Sequence, residues 1–423
     1  MADWRGALAV YRNPRQAAIL AMGFASGLPL ALAGQTLQVW LTESQVSLTD
    51  IGLFSLVGFS YTLKFLWSPV LDRVSVPWLG ARLGQRRAWL VAISALLALA
   101  IAALGQTDPA VDALRTAELA VVVAFLSASQ DIVIDAYRIE LLRPEEQAAG
   151  AASTQWGYRF GMIASGAGAL GLAQAFGWPR AYLVMASLLG VGLIAALASP
   201  EPAHPRPRGS FLRGAVVEPF VEFASRPRWL WVLAFIVLYR LGDALSGGMS
   251  NPFYVKLGFT KLEIASVAKV FGVIATMAGI AAGGAVAFRL GTVRALVAAG
   301  VVHALSNFAF VLQAFAGHDL RALAFTIFVE NFTGGLVSTA FVGYLSQLCH
   351  PGFTATQFAL FTSLTAVGRT LFASGSGWLA DHLGWPLFFS VSALAALPGL
   401  ALAVGLSAPA APPSPRASAA SPT

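Results

Sequence analysis

The sequence predicts an all-α polytopic membrane protein, with twelve transmembrane helices arranged as two six-helix repeats. Three observations predict it. The 423 residues are 57% hydrophobic and 11% charged, with mean hydropathy +0.71, whereas a soluble domain carries about 25% charged residues. The apolar runs are each near the ~20 residues a spanning helix needs, and no series of short alternating strands suggests a barrel. The basic residues cluster between runs instead of forming one basic domain, so the net charge of +7 is topogenic and nucleic acid is not an expected partner.

The spans fall at about 17–40, 50–71, 88–105, 116–137, 151–174, 180–198, 229–252, 263–288, 294–315, 321–346, 357–380 and 386–407. The first follows Arg5, Arg12 and Arg15 and lacks a small-residue cleavage site, so it reads as a membrane helix and not a signal peptide. With the N-terminus in the cytoplasm, seventeen of the 27 Lys and Arg residues lie in cytoplasmic segments, five in outer loops and five within spans. Both termini are therefore expected in the cytoplasm. A Pro- and Arg-rich stretch divides the chain into a bundle at 1–198, a linker at 199–228 and a bundle at 229–407, followed by an Ala/Pro/Ser-rich tail at 408–423 expected to be disordered. The single cysteine, Cys349, excludes an intrachain disulfide and reads as an inert residue at a helix end.

The halves repeat weakly. Gln147, Ser153 and Arg159 recur as Gln357, Ser363 and Arg369, and Gly84 and Arg87 as Gly291 and Arg294. Two parallel six-helix repeats are the signature of the major facilitator architecture, with a site between the halves near the midplane.

Charged and polar groups inside spans mark a route. In span one, Gly27, Pro29 and Gly34 permit bending, and Gln35 and Gln38 offer amides suited to sugar hydroxyls and N-acetyl groups. Trp40 fits an interfacial belt tryptophan better than a sugar platform. In span four, Asp131 and Asp135 share one helix face, with Gln130 beside them. Such a face must meet protein or a water-filled cavity. Asp131 is assigned to a proton pathway. Asp135 fits either that pathway or a fixed pair with Arg138 or Arg159. In the second half Arg240 and Asp243 are helix neighbours, while Lys269, Asn331 and Arg369 add polar groups. Glu330 has no charged neighbour in sequence, so a partner from another helix is expected, and it is the main second-half proton candidate. Gly157, Gly161, Ser165 and Gly168 in span five, with Gly375 and Gly377 in span eleven, are expected to permit close packing at the seams where the halves rock.

Lys64-Phe-Leu-Trp-Ser-Pro-Val-Leu-Asp-Arg73, followed by Gly84-Gln-Arg-Arg87, resembles the inner-gate motif of the major facilitator superfamily, with an insertion from Val74 to Leu83 between its parts. The resemblance implies that Asp72 latches the inward side shut by pairing with the other half. Arg73, Arg86, Arg87 and Arg138 join it as gate residues, although the arginines singly also fit a positive-inside cluster.

With Ser26-Gly-Leu-Pro-Leu30, Ile51-Gly-Leu-Phe-Ser-Leu-Val-Gly58, Gln130 to Tyr137, Gly157-Tyr-Arg-Phe-Gly161 and Ser374-Gly-Ser-Gly-Trp-Leu-Ala-Asp381, the chain resembles the AmpG-type muropeptide permeases of that superfamily. The resemblance implies proton-driven import of N-acetylglucosamine–anhydro-N-acetylmuramic acid peptides across the bacterial inner membrane. That is a step of cell-wall recycling, linked in some bacteria to β-lactamase induction. Such cargo carries carboxylates, for which Lys64, Arg159, Arg240, Lys269 and Arg369 supply cations. The alternative cargo is another anionic conjugate such as acetyl-coenzyme A.

An enzyme or receptor is the remaining class. The five histidines are scattered without metal-ligand spacing, and neither a Gly-x-Ser-x-Gly elbow nor a phosphate-binding Gly-Lys loop is present. No cofactor or metal is expected; lipid surrounds the chain, and a monomer is expected.

Overall fold

The computed structural model describes residues 9–46, 55–203 and 216–407. Twelve helices cross between two ends: α1 (Pro14–Glu43), α2 (55–73), α3 (Gln85–Leu104), α4 (Ala113–Leu141), α5 (147–176), α6 (Trp178–Ala198), α7 (Trp229–Lys256), α8 (261–290), α9 (Thr292–Ala316), α10 (Leu320–Leu348), α11 (354–383) and α12 (Trp385–Leu406). Each predicted span has its helix, most of them extended by a few residues into the connecting segments. The tail at 408–423, much of the expected linker and the start of span two lie outside the described residues.

Nine of these helices, among the described residues, are long and apolar enough to cross a membrane. The other three, α2, α5 and α11, all pack against the opposite half. Helix α5 packs on α8 and α10, and α11 packs on α2 and α4. A helix that faces protein on a broad side needs less apolar surface than one bathed in lipid. Helix α2 is also broken into short α and 3₁₀ segments around Lys64 and Trp67.

Among the described residues, the halves are joined at one end only. At the end opposite the termini each half has its own core, one around Leu37, Trp40 and Tyr182 and the other around Phe253, Phe310 and Phe389. At the terminus-bearing end, Ala355 and Ala359 of α11 enter the first half's core beside Leu71, Ile132 and Tyr137. Trp40 is thus a core residue. It is 5% exposed and stacks on Trp178 at 5.3 Å, so it is neither a belt nor a sugar platform.

Glycines act differently from expectation. A Cβ on Gly27 would lie 2.1 Å from the Tyr158 carbonyl oxygen, and one on Gly157 would lie 1.9 Å from that of Leu20. Gly27 and Gly157, with Gly161, therefore let α1 and α5 touch within one half. The break in α1 is at Gly34, between Pro14–Ala33 and Gln35–Glu43. Gly168 meets open space, and Gly375 and Gly377 meet nothing closer than 3.9 Å. The glycines at the seam between halves are instead Gly284, against Ala149 and Tyr11, and Gly343, against Ala148.

The repeat has a structural counterpart. The Gln147 amide donates to the Ile139 and Leu142 carbonyls, and that of Gln357 to the Pro219 carbonyl and Glu222. Gln147 fastens the start of α5 to the end of α4, and Gln357 fastens the start of α11 to the short helix Glu218–Ala224 that precedes α7.

Candidate functional site

At the terminus-bearing end, Asp72 reaches from α2 to the first turn of α11. Its carboxylate accepts the backbone N–H of Ala355 (3.1 Å) and of Thr356 (2.7 Å), and the Thr356 hydroxyl (2.7 Å). Those amides have no partner inside their own helix, and a negative charge there also suits the helix dipole. Arg86, fully buried, donates to Asp72 at 2.7 Å, to Glu140 at 2.6 Å and to the Leu71 carbonyl at 3.1 Å. Arg138 also crosses the seam. It donates to the Ser346 hydroxyl at 3.1 Å and lies 5.4 Å over the Phe358 ring, while its contact with Asp135 is long at 3.4 Å. Arg87 instead stays in the first half, bonded to Glu201 through its backbone N–H and to the Leu197 carbonyl. Arg73 ends α2, half-buried.

Further links between halves are Gln347 to the Pro144 carbonyl, Gln155 with Ser338 (2.9 Å), Trp156 to the Met277 carbonyl (2.9 Å) and Tyr11 to the Ala281 carbonyl (2.8 Å). Among the described residues, no hydrogen bond joins the halves nearer the opposite end than Trp156–Met277. The protein is therefore closed at the terminus-bearing end.

Beyond that pair, two cations face the opening. On α5, Ala148, Ala152, Gln155 and Trp156 form the stripe that meets the second half, and Arg159 continues it by one turn. On α11, Ala355, Ala359 and Thr362 lead by the same spacing to Arg369. Arg159 and Arg369 are both exposed and, among the described residues, make no hydrogen bond or ion pair.

In the first half, Asp131 accepts the Ser26 hydroxyl of α1 and interacts electrostatically with Lys64, which is 9% exposed. Tyr61 donates to Ser127 and Trp67 to Ser129, each at 2.9 Å, so α2 is stitched to α4 beside Asp131. Gln35 and Gln38 are exposed and line a cavity of about 190 Å³ with Leu30, Val57 and Tyr61, at the open end. Gln130 is turned away from the route expected of it: it is 1% exposed and donates to Ser94 of α3 at 2.9 Å, because its place on α4 faces the half's own core.

In the second half, Arg240 and Asp243 pair at 2.7 Å, as neighbours three apart should. The other Asp243 oxygen meets His303 Nε2, and His303 Nδ1 lies 2.7 Å from the Thr333 hydroxyl. Glu330 meets its charged partner on another helix, interacting electrostatically with His303 of α9, while Asn331, the next residue, donates to it at 2.8 Å. Asn331 is itself held by the Ile327 carbonyl and Thr276. The side chain of Lys269 lies outside the described residues.

His303 is the residue that sequence reading missed. An ionisable ring inside span nine is the available signal, but a lone histidine has no metal-ligand spacing to set it apart. Ser26, Glu140, Glu201 and Thr356 were missed because each matters only through a partner distant in sequence.

The Major Facilitator Superfamily model matches residues 16–373. The chain is 44% identical over 397 residues to the anhydromuropeptide permease of Escherichia coli (strain K12), covering 93% of this chain and 80% of that protein. It is 35% identical over 398 residues to putative transporter AmpG 4 of Rickettsia conorii, covering 92% and 96%. Among solved structures, the Major Facilitator Superfamily transporter FucP in the outward conformation aligns with TM-score 0.71 over 94% of this chain and 100% of that one, at 16% identity, a likeness of fold. Taken with twelve helices and a seam closed at one end, these matches place the chain in the Major Facilitator Superfamily, among its AmpG-type permeases, as a multi-pass membrane transporter and not an enzyme.

Proposed function

We propose that this protein imports anhydromuropeptides into the cytoplasm by proton symport across a bacterial inner membrane, in the recycling of cell-wall fragments. The observation that carries the cargo is the 44% identity, over 93% of the chain, to a protein named anhydromuropeptide permease. The site agrees with such cargo. Arg159 and Arg369, one from each half and without an ion-pair partner among the described residues, offer two guanidinium groups to peptide carboxylates, and Gln35 and Gln38 offer amides near the mouth.

The Arg-rich, terminus-bearing end is cytoplasmic in this reading. The closed seam is then the inner gate, with Asp72, Arg86 and Arg138 holding it and Arg73 and Arg87 flanking it. Lys64 and Arg240, both engaged with carboxylates, serve proton coupling with Asp131, Asp135, Asp243 and Glu330, and meet cargo second. The working unit is a monomer of two bundles at 1–198 and 229–407.

Uptake of N-acetylglucosamine–anhydro-N-acetylmuramyl tripeptide into proteoliposomes tests this. Accumulation against a gradient is expected only with an inward proton gradient. Uptake that survives a protonophore would remove symport, and no uptake under any gradient would remove the cargo.

A further inference from the structure

We propose that the buried His303–Asp243 pair is a proton-loading site, with the Thr333 hydroxyl as its switch. The proposal rests on the proton-driven reading above and deepens it, by assigning the second-half proton to a residue outside the acids considered there.

The argument is one of counting hydrogens. Asp243 gives one oxygen to Arg240, at 2.7 Å and 2.8 Å, and the other to His303 Nε2. A carboxylate only accepts, so Nε2 carries a hydrogen. The opposite nitrogen, Nδ1, faces the Thr333 hydroxyl at 2.7 Å. That hydroxyl has a single hydrogen and a second acceptor in reach, the Val329 carbonyl at 2.7 Å. If the hydrogen points at Nδ1, the ring is neutral. If it points at Val329, Nδ1 must carry its own hydrogen, and the ring is an imidazolium. Rotation of one hydroxyl therefore admits or releases one proton, and no heavy atom moves. The Nδ1–H bond forms as a hydronium ion from the opening breaks one O–H bond and is left as water, and the ring gains one positive charge. The Ser306 hydroxyl, 3.3 Å from Nδ1, is already committed to the His303 carbonyl at 2.7 Å.

The charged groups around the ring suit this task. Asp243 on α7 and Glu330 on α10 are the acids that interact with it, and Arg240 is the opposing cation. Tyr239 is occupied by the Leu296 carbonyl, and Tyr254 senses Glu330. Glu330 is half-buried and one turn before Thr333, which places it between the opening and the ring. The ring itself is 9% exposed, and the cavity beside it, lined by Asp243, His303 and Asn307, holds about 10 Å³. That is the scale of one water, so cargo does not reach the pair. What this site exchanges is a proton.

The test uses the full chain in proteoliposomes with a pH dye inside and the anhydromuropeptide tripeptide outside. Wild type is expected to acidify the lumen as cargo enters. His303→Gln keeps a polar group against Asp243 but cannot take a second proton, and is expected to lose acidification per cargo molecule. That ratio is the readout, since poor folding would lower both quantities together. Thr333→Val removes the donor to the neutral ring and the acceptor for the charged ring, and the charge-assisted bond to the imidazolium is the larger loss. Its uptake profile should move about one pH unit to acid, and Thr333→Ser should restore it. A wild-type ratio in His303→Gln overturns the site. Where His303→Gln does not fold, an unmoved profile in Thr333→Val overturns it instead. If wild type takes up cargo with no acidification at all, the proton-driven reading itself fails, which is a different result from either.

Discussion

Asp72 and Thr356 lie 284 positions apart, yet the Asp72 carboxylate accepts both the backbone N–H and the hydroxyl of Thr356, each at 2.7 Å. One acid thus finishes the first turn of a helix in the other half, with Arg86 and Glu140 behind it. Breaking one partner of a buried ion pair leaves the other uncompensated and costs on the order of 3–5 kcal/mol. Asp72→Ala should weaken the closed seam by about that much. A cysteine at Ser346, on the far side of the seam from Asp72, should then react faster with a reagent added at the terminus-bearing end. An unchanged labelling rate would show that Asp72 does not hold the seam.

Arg159 and Arg369 should each be needed for cargo affinity. A hydrogen bond to a charged group is worth about 1.5–3 kcal/mol, so either change to Gln should raise half-saturation roughly tenfold or more. The comparison cargo is a sugar lacking the peptide carboxylates, which should respond weakly. Equal responses for both cargoes would mean that the arginines do not read carboxylates.

Gly157→Leu should yield little folded protein, since even a Cβ would sit 1.9 Å from the Leu20 carbonyl oxygen. Backbone cannot yield as a side chain tip can, so the cost exceeds the ~1–3 kcal/mol of ordinary overpacking. Gly168→Ala, which meets open space, should be within about 0.5 kcal/mol of wild type. Thermal melting of the two variants separates these outcomes.

Gln130→Leu should lower stability by about 1 kcal/mol, through loss of the bond to Ser94, and leave half-saturation for cargo as it was. A rise in half-saturation would return Gln130 to the route.

Asp319 supplies a pH signature outside the membrane. It caps α10 by accepting the backbone N–H groups of Ala322 and Arg321, and these hold its carboxyl below the usual range. A carboxyl lowered in the folded state stabilises above its unfolded value and loses that contribution as pH falls through the folded one. Melting temperatures of wild type and Asp319→Ala should differ at neutral pH and converge as the pH falls below about 4. A constant gap down to strongly acid pH would show that the cap does not depend on charge.

The sequence by itself determined the number and order of the helices, because a bilayer imposes one length and one polarity on every crossing. It also marked Arg159 and Arg369, since in-span charge and a constant offset of 210 are readable without coordinates, and Asp72 through the resemblance to the inner-gate motif. Only the tertiary structure decided what each group faces. Gln130 and Asp131 are adjacent in the chain, yet one turns into a core and the other meets Ser26 and Lys64. Gly157, expected at a seam between halves, fastens α5 to α1. His303 looked solitary until α7 and α10 brought Asp243 and Thr333 to its two nitrogens. Periodicity along one helix is a local property, whereas a buried charge acquires its partner from helices tens or hundreds of residues away, and only packing settles which one.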